Sequence, residues 1–399
     1  MPSHRAVFAW VALAAILARG VAAQQETFRQ RAERLSRDAE ARGLAEAFKG
    51  ITRNGATIEG LFPIRSTGVS TEPVRAAAAA FLTRLTSTQR TAAIFPVDDP
   101  EWRKWMNQHF YRRQGISFAE MDQAQRSAAL DLLAASLSAK GLALTRDIMR
   151  LNHTLGELNN DNFEEYGEWL YWITVMGTPS STEPWGWQLD GHHLIVNYFV
   201  LADQVVMTPV FVGSEPVTAT AGKYRGVAIL QAEQNAGLAL MNSLTESQRQ
   251  AAVLEVSKEG NNNLTEAFKD NVVLDYAGVP VRTFSAPQRR QLLELIGLFV
   301  GNLRDGHARV KMAEVEAHLE ETSFAWIGKT EPEAVFYYRI HSPVVLIEFD
   351  HQRPANLRHL YGSSPNRQHI HAVVRTPNGN DYGKDLLRQH YQRHPHPDR

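Results

Sequence analysis

Apolar positions change their period twice along the chain. Between Gln24 and Lys49, Phe28, Leu35, Leu44 and Phe48 recur at roughly helical spacing in an Arg-, Glu- and Ala-rich background, which predicts an amphipathic helix or helix pair. Asn54-Gly55 marks a turn. Four later segments share one signature, [Ser/Thr/Asp]-x-x-Gln-Arg followed by an apolar run. They start at Thr86, Asp122, Thr245 and Ser285, with Gln89, Gln125, Gln248 and Gln288 three residues on. Each reads as a capping box, in which the first residue and the glutamine satisfy each other's backbone N–H at a helix start. The arginine recurs at all four starts, so its role is structural. After Gly177 and Gly328 the pattern shifts to Val- and Ile-rich runs bounded by Pro and Gly, which predict antiparallel hairpins or a meander.

The signatures come in tandem pairs, one pair per half of the chain. Leu85-Thr-Ser-Thr-Gln-Arg returns as Leu244-Thr-Glu-Ser-Gln-Arg, and Trp187-Gln-Leu-Asp-Gly-His-His aligns with Tyr338-Arg-Ile-His-Ser-Pro-Val. The expectation is an α+β fold, one compact pseudo-symmetric unit in which helices precede strands in each half. The halves are 24–220 and 221–391, meeting near Ala219 to Gly226, and 392–399 form a disordered tail. Met1 to Arg5 is basic, Ala6 to Ala18 apolar, and Val21-Ala22-Ala23 small, so 1–23 read as a signal peptide cleaved before Gln24. A secreted or periplasmic protein follows, with no membrane span after cleavage.

A formal net charge of -1 and the lack of any Lys/Arg run exclude nucleic acid and anionic membrane as partners drawn by charge. The chain has no cysteine, so disulfides and thiolate ligands are excluded, and any metal must use His, Asp, Glu or backbone oxygen. There is no nucleotide-binding Gly loop, Gly-x-Ser-x-Gly elbow or His-Glu-x-x-His.

Candidate chemistry lies in the strands. Imidazoles and carboxylates inside Val/Ile-rich runs need a reason. His369 and His371 are two apart and share a strand face, a two-ligand clamp. His192 and His193 face opposite sides, so one of them can join a shared site; His341 or Glu348 completes the set. Two or three histidines plus a carboxylate suit Zn, Mn, Fe or Cu. Two other readings stand beside this one. One is a buried hydrogen-bonded network, Asp–His and Glu–His pairs satisfying one another between strands. The other is metal-free acid/base catalysis by a histidine with Glu348 or Asp381. Arg375, beside the Thr376–Gly383 turn, either orients a substrate anion or pairs with Asp381. Trp185 and Trp187 form either a stacking wall for a sugar or aromatic ligand, or core. His109, His153, His307 and His318 fall in segments read as helical, without partners at metal spacing.

The runs GWQLDGHHL, YYRIHSPVVLIEFD and HIHAVVRTPNGNDYG with the following DLLRQHY resemble the signatures of the domain-of-unknown-function family numbered 3500. The resemblance covers nearly all of the mature chain. It implies an exported protein of the kind found in bacteria and fungi. It also points to Asp190, His192, His193, His341, Glu348, Asp350, His369, His371 and Asp381 without assigning a reaction. The expectation is an exported metal-dependent enzyme, a hydrolase acting on a small or saccharide-like extracellular substrate. A Cu, Fe or Mn oxidoreductase and a non-catalytic periplasmic binding protein are the alternatives. His192, His193, His341, His369 and His371 are the candidate ligands; Glu348, Arg375 and Asp381 are the catalytic candidates. One ion requires the participating imidazoles to lie within about 8 Å of one another, given ligand distances of roughly 2 Å.

Overall fold

The computed structural model describes residues 27–394. The proposed signal peptide and its cleavage site lie outside the described residues, as do 395–399 of the tail; a helix carries the chain to Arg393.

All four capping boxes form. In chain order the first helices are α1 (Phe28–Gly43), α2 (Glu72–Arg84), α3 (Ser87–Ala93), α4 (Gln123–Ser136) and α5 (Ala139–Leu158). The second half carries α6 (Gln231–Ser243), α7 (Glu246–Ala252), α8 (Ala286–Val300), α9 (Asp305–Ala317), α10 (Arg358–Tyr361) and α11 (Lys384–Arg393). The boxes begin α3, α4, α7 and α8. Their glutamines also bond in pairs: Gln125 Nε2 donates to Gln89 Oε1 at 2.8 Å, and Gln288 Nε2 to Gln248 Oε1 at 2.9 Å. Each pair clips two helix starts together, which explains why the glutamine recurs. The arginines cap neighbouring carbonyls, Arg126 that of Phe118 and Arg289 that of Phe284. A fifth box, Thr27 with Gln30, opens α1 and escaped the sequence reading.

The strands are β1 (Ile94–Phe95), β2 (Ile116–Ser117), β3 (Tyr171–Met176), β4 (Trp185–Gly191), β5 (Leu194–Leu201), β6 (Gln204–Val206) and β7 (Val210–Ser214). They continue with β8 (Val253–Glu255), β9 (Val279–Pro280), β10 (Ser323–Gly328), β11 (Phe336–His341), β12 (Leu346–His351) and β13 (Ile370–Arg375). Among the described residues these form one mixed sheet in the order β1-β3-β4-β5-β7-β13-β12-β11-β10-β8. The centre is antiparallel, as the hairpin pattern predicts. The edges differ: β1 runs parallel to β3, and β8 parallel to β10, each added by the chain that leaves a capped helix. β7 and β13 join the two halves antiparallel, with His371 opposite Gly213.

Both faces of the sheet are covered, so strand residues of either parity are buried. On one face Val212, Ala372, Val374, Ile347 and Phe349 meet the helices in the main core. On the other, Ile195, Phe211 and Val373 pack with Trp102, Trp105, Tyr382 and Leu386, under loops rather than long helices. That loop-covered face carries His371. No helix among the described residues is long and apolar enough to cross a membrane.

Candidate metal centre

β4 and β5 are joined by a two-residue turn, His192-His193, closed by the pairing of Gly191 with Leu194. His193 takes φ +60°, a left-handed conformation that a side-chain-bearing residue adopts at a cost. The turn aims its ring across the end of β7 at the start of β13. There the three Nε2 atoms form a near-equilateral triangle. His193 lies 3.1 Å from His369 and 3.1 Å from His371, and His369 lies 3.0 Å from His371. All three residues are buried.

The outer ring nitrogens fix the tautomers. His369 Nδ1 lies 2.7 Å from the carbonyl oxygen of Arg353, which can only accept, so Nδ1 carries the proton. His371 Nδ1 lies 2.7 Å from Glu266 Oε1 and donates to that carboxylate. In the neutral rings both Nε2 lone pairs therefore point at the common centre. Burial holds all three imidazoles below their ordinary pKa range; neighbouring histidines add to this for His193 and His371, while Glu215 opposes it for His369. Converging lone pairs on neutral rings repel one another unless a cation sits between them, and nitrogens sharing one ion at about 2.0–2.1 Å are spaced much as these are. The residues fit a metal ion. A carbonyl and a carboxylate that accept from the outer ring N–H groups are the usual supports of metal-bound histidine.

Buried carboxylates hold the surrounding loops. Glu215 accepts from the backbone N–H of Ala355 at 3.0 Å, Asn356 at 2.8 Å and Leu357 at 2.9 Å, and so fixes the loop whose Arg353 carbonyl orients His369. Glu348 accepts from the N–H of Leu264 and Thr265, each at 2.9 Å, from the Thr265 hydroxyl, and from the Tyr337 hydroxyl at 2.7 Å. It thereby places Glu266. Asp350 pairs with Lys258 at 2.9 Å and accepts from the N–H of Asn262 at 2.6 Å. Burial raises its pKa to about 7, against the pull of Lys258. Asp190 receives Arg113 Nε at 3.0 Å; burial raises it to about 6, with Arg113 opposing. Arg113 in turn ties down the carbonyls of Gln108 and Tyr111.

Of the candidates read from sequence, His193, His369 and His371 come together. His192 packs against His193 with ring centroids 4.1 Å apart and the planes tilted by 33°, but its Nδ1 meets Asn152 Oδ1 at 2.8 Å, outside the triangle. His341 pairs with Leu346, which pairs with Arg375. It therefore sits about four residues, or ~13 Å, along the strands from His371 and about 10 Å across them. No ion reaches both. Glu348 is spent on the loop it anchors. Arg375 is fully buried, donating to Lys269 O at 2.9 Å and to Asp270 Oδ1 at 3.1 Å, with Asp381 Oδ2 3.5 Å from its Nε. The ion-pair reading of Arg375 and Asp381 describes this geometry, and substrate orientation does not. Burial raises Asp381 to about 6, with Arg375 opposing. Trp185 and Trp187 are core, Trp187 stacking on Tyr198.

Glu266 and Glu215 were missed. Both lie outside the regular runs, and no spacing in the sequence ties either to a histidine. His109, read as helical, lies instead in the loop between Trp105 and Ile116, 3.4 Å from Glu165. It helps to line a cavity of about 460 Å³ that opens onto the triangle. Asn107, Phe110, Asn261, Gln352, Arg353, Asn356 and Arg358 form other parts of that wall.

The fold and site define an α+β protein with a buried three-histidine centre that could hold a metal ion. A family model described as "Protein of unknown function (DUF3500)" matches residues 67–384, and the chain belongs to that family. No curated protein and no solved structure matches it.

Proposed function

We propose that this protein is an exported metal-dependent enzyme, with His193, His369 and His371 as ligands, and that it hydrolyses a small extracellular substrate. The observation that carries the reading is the triangle of Nε2 atoms at 3.0–3.1 Å, with two outer nitrogens committed as donors. A cation bound there supplies Lewis acidity and lowers the pKa of a water molecule. The chain's own part is positional. Glu266 and the Arg353 carbonyl hold two rings, the strained His193 turn holds the third, and the cavity leaves the open side of the triangle accessible. Its volume is within the range of small-molecule sites. Export rests on the basic, apolar and small-residue pattern of the first 23 residues.

A second reading, a Cu, Fe or Mn oxidoreductase, rests on the same donor set, since three imidazoles would hold such an ion as well as zinc. Elemental analysis of the purified protein tests both readings. Stoichiometric zinc supports hydrolysis and a redox metal supports oxidation. Failure to take up any metal after reconstitution removes both. A bound metal without turnover of any substrate class leaves the binding-protein alternative.

A further inference from the structure

The wall of the cavity carries its own chemical statement. Two guanidinium groups line it, Arg353 and Arg358, and both side chains are exposed. Arg353 donates through Nε and Nη2 to the carbonyl of Glu259, at 2.8 and 2.6 Å, which leaves Nη1 uncommitted. Arg358 donates through Nε to the carbonyl of Pro354 at 3.0 Å, which leaves both terminal nitrogens uncommitted. Among the described residues neither has a carboxylate within ion-pair distance, although this protein pairs many of its surface arginines that way, Arg75 with Glu72 and Arg388 with Asp385 among them. Among the described residues the one carboxylate in the cavity wall is Glu266, and it is engaged by His371 and by Asn263 Nδ2 at 3.0 Å.

The two arginines are also held in place. They flank the segment 354–357, whose backbone N–H groups are gathered on the buried Glu215 carboxylate. The same segment begins at the carbonyl that orients His369. The guanidinium groups and the three-histidine centre are thus mounted on one support, so the distance between them is set by the fold.

We infer that Arg353 and Arg358 form an oxyanion-recognition site, and that the substrate is a small organic anion. Its carboxylate or phosphate lies on the two guanidinium groups, and its reacting group faces His193, His369 and His371. The inference rests on the functional reading above for the second half of that statement. The chemistry is that of charge-assisted, forked hydrogen bonds, which arginine makes to either kind of oxyanion. The cavity is too small for a polymer to enter whole, and its remaining wall, mostly carboxamides with the rings of His109, Phe110 and His192, suits a compact polar body.

The test is calorimetric titration of the full mature chain at low salt with three probes: succinate, inorganic phosphate and the neutral succinamide. Wild type is compared with the Arg353→Gln/Arg358→Gln double variant, metal-loaded and metal-stripped, with metal content measured on the same samples. Substituting Arg353 leaves its carbonyl on His369, so metal content should stay at the wild-type level. Succinate or phosphate should bind wild type and weaken by about tenfold or more in the double variant; the tighter of the two names the anionic group. Succinamide bound as tightly as succinate, or anions bound equally by the double variant, overturns the anion site while the metal reading stands. Arginine-dependent anion binding by a protein that takes up no metal supports the anion site and overturns the metal reading.

Discussion

Gly213 and His371 face each other directly across the seam between β7 and β13, and the imidazole triangle depends on the glycine having no side chain. A Cβ on Gly213 would stand 2.3 Å from the Ile370 carbonyl oxygen and 3.3 Å from Cδ2 of both His193 and His371. The first contact is against backbone, so the two strands must part, and the second moves two of the three rings. Gly213→Ala should destabilise the protein by about 1–3 kcal/mol, the usual cost of overpacking. It should also weaken metal uptake while every ligand remains present. Thermal unfolding together with a metal titration checks this; an unchanged melting temperature and unchanged uptake would show that the seam does not set the geometry of the rings.

Histidines inside the triangle and outside it should separate cleanly on substitution. His193→Ala, His369→Ala and His371→Ala should each abolish stoichiometric metal while the far-ultraviolet circular dichroism stays native. His341→Ala should keep the metal, because that ring packs on Tyr276 at 4.5 Å, at the other end of the strands. Its cost should appear as stability instead, since the side chain is buried and its loss leaves a cavity. Metal loss in His341→Ala with native spectra would contradict the assignment of ligands.

These contrasts show how far the sequence could be read. Histidines two apart on a strand share a face by geometry alone, so the His369–His371 clamp was legible. So were the capping boxes, because their hydrogen bonds are local. The ionisable residues of the strands were also legible as unusual, but their use was not. A sheet buried on both faces, with loops over one of them, leaves loop N–H groups that must find acceptors. Glu348, Asp350 and Asp381 supply those acceptors, to Thr265, Asn262 and Thr376 respectively. From sequence, a carboxylate that anchors a loop looks the same as one that does chemistry. Conversely, Glu266, Glu215, Arg353 and Arg358 lie outside any periodic run, and only the folded chain brings them to the histidines.

Glu215→Gln should loosen the support that carries Arg353 and His369. The carboxylate accepts from three backbone N–H groups and from Asn356 Nδ2 at 3.2 Å, and an amide presents one acceptor oxygen in place of two. A stability loss of about 1–3 kcal/mol follows from the buried donors left unpaired. Metal affinity should fall about 10- to 100-fold, as it does when an outer support of a ligating histidine is removed. Hydrogen exchange gives the local readout: the amides of Ala355, Asn356 and Leu357 should lose protection. Retained protection there would mean that the loop is held by something other than Glu215.

Glu101 makes a pH prediction away from the metal centre. Its carboxyl is buried, and burial raises its pKa to about 8, against the opposing pull of Lys104 at 3.5 Å. An unfolded glutamate titrates near 4.3, so between about pH 4.3 and 8 the folded state holds more protons than the unfolded state. Stability from this group is therefore fully present below the unfolded value and is lost as pH rises through about 8. Glu101→Gln stays neutral throughout, and removes that slope. Denaturant unfolding from pH 5 to 9 should show wild type losing stability relative to the variant as pH increases, with the difference levelling off above about pH 8. Parallel curves over that window would place a charged Glu101 in the folded protein and rule out the burial argument.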